Sequence, residues 1–422
     1  MAPAASYDRI WAPSVDGGKY DPELHVTVRS GRGVWAETTG GRRLLDANSG
    51  LWHLSLGYAP PEVVGAATES LERLGGTTLL RRLHADAEPV VEALAGHLAA
   101  MDPVFFFATS GSEAVDVALR IAMSAGQPGG RTGVAYLGGA YHGVSLGPLS
   151  LNNSPRYRSG APAVLPSVEL PSPAEWARAP ADSATRVEAI FRARGDSLAA
   201  VVVEPVQCVA GVIEVPREYQ FLLAAMAKAH GCLLVVDEVS TGVFRTGGLL
   251  AASVQADMVV LAKGLTGGLS PMSVVAVTRP VADRVRSSTA AHRLPGSTQG
   301  GDPIGCACAA AVLQHCTTPG FQERMRRTSE VLHRDLQELA REQPAVLDIR
   351  GSGHLWGVRI RPDRVGSPSS FVQRFTGYGL EAELLLHPLS VGVIPVVPAL
   401  NITEPEVHEL TSRLGSALSL AR

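Results

Sequence analysis

Residues 232 to 268, CLLVVDEVSTGVFRTGGLLAASVQADMVVLAKGLTGG, contain two short apolar runs that each end in a charged residue. Residues 233–236 lead into Asp237, and residues 258–262 lead into Lys263. Continuous apolar runs of this length, bounded by turn residues, are typical of strands buried on both faces of a parallel sheet. Open α/β sheets bind ligands beyond the carboxyl ends of such strands. The sequence therefore predicts that Asp237 and Lys263 lie at a ligand-binding edge.

The lysine is informative because the chain has so few. Of its 37 basic residues, only Lys19, Lys228 and Lys263 are lysines, and the rest are arginines. Unlike arginine, a desolvated lysine can lose its proton and attack a carbonyl carbon to form a Schiff base. A carboxylate beside a pyridine nitrogen keeps that ring protonated, so that it acts as an electron sink. Lys263 and Asp237 therefore fit pyridoxal 5'-phosphate (PLP), and an ordinary ion pair between strand ends is the alternative.

Length and composition indicate an ordinary globular protein. The 422 residues are 45% hydrophobic with a mean hydropathy of +0.12, which is enough for a large core and two or three domains. The net charge of −3 and the lack of a long basic run argue against a nucleic-acid partner. Without a leader-like N-terminus or an apolar run of membrane-spanning length, we expect a cytoplasmic protein with no membrane attachment. Five irregularly spaced cysteines predict neither disulfides nor a metal site.

A candidate phosphate site comes directly after the strand predicted at residues 104–108. That strand delivers the sequence TSGSE, residues 109–113, to the start of a helix. Strand, glycine turn and helix start form a geometry in which free backbone N–H groups and the helix dipole bind phosphate. Gly111 and Ser112 are the candidate ligands. The first serine and the glutamate also fit a capping box, so simple helix capping is the alternative.

Two other predicted strands bring polar or aromatic side chains to the same edge. The strand at residues 133–137 leads to Tyr141 and His142, and the strand at residues 198–206 carries Glu204 near its end. An aromatic ring at such an edge could stack on a flat cofactor, whereas an isolated tyrosine–histidine pair is more often structural. Glu204 would be a further acidic group on this edge.

Strands and helices alternate through the middle of the chain, and the alternation stops near residue 316. This pattern predicts an α/β fold with a mostly parallel central sheet flanked by helices, together with a smaller α+β domain. The predicted organisation is an N-terminal segment at 1–54, a large domain at 55–316 and a small domain at 317–422. We expect the N-terminal segment to pack with the small domain.

Three local predictions concern segments outside the central sheet. The stretch HVTVRSGRGVWAE predicts a β-hairpin that turns at Ser30-Gly31. The proline-rich residues 151–185 predict a long irregular surface excursion. Trp52, within NSGLWH, could line a pocket, but core packing is the commoner role for a tryptophan judged alone.

In chain order these stretches resemble the class III (omega-type) aminotransferases of the fold type I PLP enzymes. The resemblance covers nearly the whole chain, through NSGLWHLSLGY, SGSEAVDVALRIA, GAYHG, VVVEPVQ, VVDEVSTG, LAKG and STQGGDPIGCACAA. It implies a homodimeric aminotransferase that moves an amino group from an amine or amino-acid donor to a carbonyl acceptor by a ping-pong mechanism. An aminomutase or a decarboxylating transaminase on the same scaffold is the alternative.

The resemblance also implies a role for each candidate residue. Lys263 would hold the cofactor as a Schiff base and shuttle the proton, and Asp237 would hold the pyridinium nitrogen. Tyr141 and Val239 would cover the two faces of the ring, and Trp52 would line the substrate pocket. The other cofactor contacts would be Gly111, Ser112, His142, Glu204 and Thr298 of the partner subunit.

The sequence departs from the family at a few positions near these motifs. Serine stands at Ser240, where glutamine is usual, and Val243-Phe244 replaces the usual Phe-Gly pair. Asp302 replaces an asparagine. The shorter serine would contact the ring hydroxyl only through a water molecule, so Ser240 is not counted among the direct cofactor contacts.

The last departure concerns the substrate. Many relatives place an arginine, which holds an α-carboxylate, just before a C-terminal Pro-Pro-Leu-like segment. Here residues 391–403, VGVIPVVPALNIT, contain no arginine or lysine, and the stretch before them offers only His387. A buried carboxylate without a partner is costly. We therefore expect at least one of the two substrates to lack a carboxylate beside the reacting carbon, and the acceptor is the leading candidate. That substrate would be an amine, an aldehyde or ketone, or a modified peptide end. The alternative is that Arg81, Arg82 or Arg293 supplies the charge.

Overall fold

The computed structural model describes residues 9–13, 18, 20, 21, 23–126, 130–152, 154–158, 160–288, 294 and 296–421. Lys19 and Arg293 lie outside the described residues. The chain divides into two compact units. The small unit comprises Met1–Pro60 and Thr318–Arg422, and the large unit comprises Pro61–Thr317.

Strands and helices are numbered separately in chain order. The strands are β1 (Val28–Arg32), β2 (Trp35–Thr38), β3 (Arg43–Asp46), β4 (Pro103–Ala108), β5 (Gly133–Leu137), β6 (Ser167–Leu170), β7 (Leu198–Val203), β8 (Val206–Gln207), β9 (Ile213–Glu214), β10 (Leu233–Asp237), β11 (Met258–Leu261), β12 (Ser273–Thr278), β13 (Val346–Ser352), β14 (Leu355–Ile360), β15 (Leu384–Leu385) and β16 (Val393–Val396). The helices are α1 (Ser49–Trp52), α2 (Pro61–Arg73), α3 (Ala87–His97), α4 (Gly111–Ala125), α5 (Leu146–Leu149), α6 (Pro155–Arg158), α7 (Pro173–Arg178), α8 (Pro180–Arg194), α9 (Arg217–His230), α10 (Arg279–Arg286), α11 (Pro303–Cys316), α12 (Pro319–Glu342), α13 (Pro362–Val365), α14 (Pro368–Glu381) and α15 (Glu404–Ser419). In the described part of the chain, no helix is both long enough and apolar enough to cross a membrane.

The large unit is built on a sheet whose described strands follow the order β4-β12-β11-β10-β7-β5-β6. Neighbouring strands pair in parallel except at β12, which runs antiparallel to both β11 and β4. The β-branched and leucine side chains of β7, β10 and β11 are buried at every position. Helix α4 packs against β7, β11 and β12 and covers part of the sheet. This is the α/β fold with a mostly parallel sheet that the sequence predicts.

Sheet topology explains why the candidate residues of this unit meet. Strands β7, β10 and β11 are parallel neighbours, with Val203 opposite Val236 and Asp237 opposite Val260. Chains that leave parallel strands emerge at one edge of the sheet. Glu204, Asp237 and Lys263 therefore lie at the ends of adjacent strands on the same edge.

The small unit joins the two ends of the chain. Strand β3 from the N-terminal part pairs in parallel with β15 from the C-terminal part, with Leu45 opposite Leu384. Strands β13, β14 and β16 form a second, antiparallel sheet. Helices α12, α14 and α15 contribute Leu336, Phe371 and Leu410 to the core of this unit.

The first hairpin turns later than the sequence predicts. Its turn is at residues 33–34, between β1 and β2, rather than at Ser30-Gly31. Gly31 lies inside β1, where a Cβ atom would collide with the ring of Tyr58. This glycine permits close packing, and Gly33, with φ of 57°, supplies the turn.

The proline-rich residues 151–185 are also more regular than predicted. They contain the edge strand β6, helix α7 and the start of α8. Pro173 and Pro180 occupy the first turns of these two helices, where a missing N–H costs nothing. Ser172 and Glu175 complete a capping box around the start of α7.

Asp46 ends β3 and organises the turn after it. Its carboxylate accepts hydrogen bonds from the backbone N–H groups of Asn48 at 2.8 Å and Gly50 at 2.7 Å, and from the hydroxyl of Tyr58 at 2.8 Å. The carboxylate is buried, so these donors replace the water that it loses. The turn contains left-handed backbone at Gly50 and Trp52, and Asp46 therefore holds a strained segment in place.

Replacing Asp46 with alanine should lower the free energy of unfolding by about 2–4 kcal/mol, because buried donors lose their acceptor. Asp363→Ala removes an exposed carboxylate from the same unit and should cost less than about 0.5 kcal/mol. Urea unfolding of both variants measures the difference. Equal midpoints for the two variants would show that the Asp46 hydrogen bonds do not stabilise the turn.

Candidate active site

Asp237 is a buried carboxylate with both oxygens engaged. Oδ2 lies 2.8 Å from Nδ1 of His142, and Oδ1 accepts the backbone N–H of Val239 at 3.1 Å. His142 is also buried. Burial alone would lower the pKa of His142, but the hydrogen bond to Asp237 and the charges of Asp237 and Glu204 raise it overall. The imidazole can therefore donate to the carboxylate and fix its orientation.

Glu204 supports the loop that carries Tyr141. Its Oε1 accepts the backbone N–H of Tyr141 at 2.9 Å. Burial raises the pKa of Glu204 to about 7, and the charge of Asp237 acts in the same direction. The Tyr141 ring lies 4.9 Å from that of Tyr157, and burial raises the pKa of Tyr141 to about 12. The phenol is therefore neutral near pH 7 and presents an uncharged ring.

The start of α4 is a helix N-terminus capped by Ser110, and helix N-termini bind anions. Residues 110–112 are called the cradle below. Ser110 caps the helix, with its Oγ accepting the backbone N–H of Glu113 at 3.2 Å. The Glu113 carboxylate binds the N–H and the hydroxyl of Thr109, at 2.8 and 2.6 Å, instead of closing a full capping box on Ser110. Ser112 Oγ accepts the N–H of Val144 at 3.1 Å, which draws the loop after Tyr141 toward the cradle.

Gly111 is packed too closely for a side chain. A Cβ atom at this position would lie 3.0 Å from Cγ1 of Val239 and 3.7 Å from Cβ of Ala262. The helix start, the turn after Asp237 and the residue before Lys263 therefore meet in one layer. Such close approach of the backbone is the reason that glycine is required here.

Lys263 begins a 3₁₀ turn directly after β11, with left-handed backbone at φ of 47°. Its Nζ donates a hydrogen bond to Oγ of Ser240. Burial lowers the pKa of Lys263, although Cys208 and the nearby carboxylates, Asp237 foremost, oppose the shift. A lysine in this setting gives up its proton more readily than an exposed one, as a nucleophile must.

The contact between Ser240 and Lys263 is the feature that sequence reasoning missed. The motif comparison gives Ser240 no direct cofactor contact, and a serine three positions after Asp237 carries no sequence signal of its own. The sheet topology would have indicated the contact. Because β10 and β11 are parallel neighbours, the turn after β10 lies beside the residues that follow β11. Position in the turn, and not residue type, would have pointed to a contact with Lys263.

The other departures from the family have clear structural consequences. Val243 and Phe244 are buried and adopt φ of 56° and 63°, so a strained left-handed backbone occurs where the family usually has a glycine. The ring of Phe244 packs edge-on against His97 at 5.8 Å. Asp302 caps α11, with Oδ1 accepting the N–H of Gly305 at 3.0 Å.

Thr298 and Trp52 are the two remaining candidates. Thr298 is exposed in the turn before α11. Trp52 belongs to the small unit, where it is buried with φ of 66°. Its turn is tied to the C-terminal part of that unit, because the Asn48 side chain binds the carbonyl of Pro395 at 3.0 Å and the N–H of His387 at 2.7 Å.

Comparison with known proteins gives this arrangement a family. The model of the class-III aminotransferases matches residues 18–418. The chain belongs to the class III aminotransferases. An acetylornithine aminotransferase of Rhodobacter capsulatus is 32% identical over 92% of this chain and 93% of its own length. A putrescine aminotransferase of Pectobacterium atrosepticum is 32% identical over 78% of this chain and 69% of its own. An amine transaminase of an uncultivated Pseudomonas species, solved with PLP bound, matches with a TM-score of 0.87 and 27% identity, over 94% of this chain and 95% of that one.

Membership of this family confirms the predicted fold type I architecture, the aminotransferase activity and PLP as the cofactor. The residues of the large unit fit that cofactor. The α4 start at Gly111 and Ser112 is a helix N-terminus, whose backbone N–H groups and dipole suit a phosphate. Asp237 offers a fixed carboxylate, Tyr141 a neutral ring and Lys263 an amine of lowered pKa.

Gly111→Ala in this aminotransferase should weaken PLP binding by about tenfold or more, because the new Cβ pushes against Val239 and shifts the cradle. Val239→Ala in the same chain should restore part of the affinity by making room for that atom. Gly65→Ala serves as the control, since a Cβ there meets open space on α2. Cofactor titration followed by absorbance gives the three affinities, and equal values for the two glycine variants would contradict the packing argument.

Proposed function

We propose that this aminotransferase takes an amino group from an amine or amino-acid donor and gives it to a carbonyl acceptor without a carboxylate on the reacting carbon. Lys263 and Asp237 are its catalytic residues. The observation that carries this assignment is a half-buried amine and a buried carboxylate at the ends of neighbouring parallel strands. An aminomutase or a decarboxylating transaminase is not favoured by the relatives, which are aminotransferases.

When bound, PLP supplies an electron sink that stabilises negative charge on the reacting carbon. Asp237 holds the proton on the pyridine nitrogen, and His142 and the Val239 N–H keep its carboxylate aligned. Lys263 Nζ moves the proton to and from the reacting carbon, and burial, which lowers its pKa, makes the neutral amine easier to form. Tyr141 covers one face of the ring and limits the access of water to it.

The remaining groups bind and position. Backbone N–H groups at Gly111 and Ser112 hold the phosphate, aided by the positive end of the α4 dipole. Glu204 acts through Tyr141 by holding its backbone. Trp52 lines the substrate pocket. We also propose domain boundaries at 1–54, 55–316 and 317–422, and a cytoplasmic location.

A homodimer with shared sites completes the proposal. Thr298 lies exposed in its own chain, in a turn between the sheet and α11, although its hydroxyl is a ready phosphate ligand. We assign it to the phosphate of the partner's cofactor. Each site would then need two chains.

Lys263→Ala should still bind the cofactor through phosphate and ring contacts but should lose activity by roughly four orders of magnitude, because capture and proton transfer both fail. Lys228→Ala changes an exposed lysine on α9 and should alter activity by less than about twofold. Borohydride treatment of the wild-type enzyme, followed by peptide mass spectrometry, should fix the cofactor on Lys263. A reduced adduct on Lys228 or Lys19 would overturn the assignment.

Complementation tests the shared site. Thr298→Glu should be inactive because its charge repels the phosphate. Mixed with Lys263→Ala chains under conditions of subunit exchange, it should restore about one quarter of wild-type activity, since half of the dimers then contain one intact site. A mixture of Thr298→Glu with a Lys263→Ala/Thr298→Glu chain is the control and should stay inactive. No recovery despite proven exchange would count against sharing.

The substrate proposal rests on charge. Residues 392–400 of the small unit are buried, and residues 391–403 contain no cationic side chain. His387 just before them is exposed. Arg81 and Arg82, the alternative partners for a carboxylate, are exposed residues of the large unit. Putrescine, the diamine in the name of one relative, has no carboxylate.

Pairs of acceptors matched except for an α-carboxylate decide this point. We expect aldehydes or ketones without the carboxylate to match or exceed the corresponding α-keto acids in kcat/KM, measured with the enzyme first converted by pyridoxamine phosphate. If the keto acids are better by a hundredfold, about 2.7 kcal/mol of discrimination, the substrate proposal is wrong. Loss of that preference in Arg81→Ala or Arg82→Ala would then identify the residue that binds the carboxylate.

A further inference from the structure

Two anchored segments bring Ser240 and Lys263 together. Strand β10 ends at Asp237, and Ser240 lies in the turn that follows. Glu238 stabilises this turn by three hydrogen bonds. Its Oε1 accepts the backbone N–H groups of Ala251 and Ala252, both at 2.8 Å, and its backbone carbonyl accepts the N–H of Gly242 at 2.8 Å. Ser240 is therefore carried by a rigid loop.

The lysine side of the contact is fixed at the backbone but flexible beyond it. Lys263 adopts a left-handed φ of 47°, and the N–H of Leu265 closes a tight turn on Ala262 at 3.1 Å. Beyond Cα, four methylene groups must be ordered before Nζ can reach one point in the site. The hydrogen bond to Ser240 Oγ orders them at their far end.

We propose that Ser240 is a positioning residue for Lys263, whose hydroxyl holds Nζ in line for proton transfer in both protonation states of the amine. This inference rests on the proposed function, because it assigns Nζ the proton shuttle. It concerns a position at which the chain departs from its family.

A hydroxyl suits this task because it is both donor and acceptor. Ser240 Oγ accepts a hydrogen bond from the ammonium or the amine and can donate one to the neutral amine. A carboxylate in its place would favour the ammonium and hold the proton. Asp237, the carboxylate of the same turn, has its oxygens engaged by His142 and Val239.

Ser240→Ala, Ser240→Thr and Thr241→Ala form the test set. Thr241 is the matched control, because its hydroxyl lies in the same turn but donates to Glu238. For the first readout the full chain carries pyridoxamine phosphate, in which, under the proposal, Nζ is not covalently bound to the cofactor. Circular dichroism establishes that each variant is folded before it is compared.

The first readout is the pH dependence with which acetic anhydride labels Lys263, quantified by mass spectrometry against the exposed Lys228. Nζ faces Cys208, Asp237, Glu204 and Arg245, and these stay constant in the set. Hydrogen bonds to a charged donor are the stronger ones, so loss of Oγ should lower the labelling midpoint by about 0.5 to 1 pH unit in Ser240→Ala. Ser240→Thr and Thr241→Ala should keep the wild-type midpoint.

The second readout is the single-turnover reaction of the PLP form with a donor amine deuterated at the reacting carbon. Ser240→Ala should react about tenfold more slowly with an increased isotope effect, because proton transfer becomes more rate-limiting. Ser240→Thr should stay within about threefold of wild type.

Wild-type midpoint and isotope effect in Ser240→Ala would overturn the proposal, and so would equal losses in Ser240→Ala and Thr241→Ala. If borohydride still fixes the cofactor on Lys263 in those cases, the proposed function stands without a role for Ser240. If borohydride fixes it elsewhere in the wild-type chain, the proposed function and the role of Ser240 both fail.

Discussion

The large unit depends on holding a buried carboxylate and a half-buried amine at the ends of adjoining strands. Such groups are costly to bury unless each finds partners. Asp237 finds His142 and the backbone of Val239, and Lys263 finds Ser240, while burial lowers the pKa of the lysine. The parallel order of β7, β10 and β11 makes this possible, because it brings three chain exits to one edge. The apolar strands therefore form a rigid platform that positions the polar residues at their carboxyl ends.

Backbone strain is concentrated around the same edge. Lys263, Val243 and Phe244 all adopt left-handed φ values, each of which costs about 1–3 kcal/mol for a residue with a side chain. Burial of the Val243 and Phe244 side chains offsets part of that cost. The hydrogen bonds of Glu238 stabilise the turn that contains both residues. The strain persists because its surroundings leave the chain no relaxed alternative. The left-handed backbone at Lys263 fixes the direction in which the chain continues after β11.

Sequence alone predicts the strand ends well, because an apolar run that ends in a charged residue is a local signal that Asp237 and Lys263 both carry. It does not predict which side chains meet across the edge, since those contacts depend on the register of strands far apart in the chain. Ser240 is one example. The first hairpin is another: two glycines offered nearly equivalent turns, and packing of Tyr58 against Gly31 decided between them. Local propensity proposes such choices, and tertiary contact selects among them.

The prolines show how one residue type gives opposite signals. Their number within residues 151–185 indicates an irregular loop. Several helices nevertheless have a proline in the first turn, because the backbone N–H that proline lacks has no partner inside the helix at that position. A capping side chain before the proline marks some of these helix starts, but not that of α8, where Ala179 precedes Pro180. Asp302 before Pro303 is such a pair at the start of α11. Its backbone N–H also binds the carbonyl of Gln299 at 3.2 Å, so the cap that starts the helix also fixes the end of the Thr298 turn. An aspartate in place of the usual asparagine keeps that acceptor and adds a negative charge at the positive end of the helix dipole.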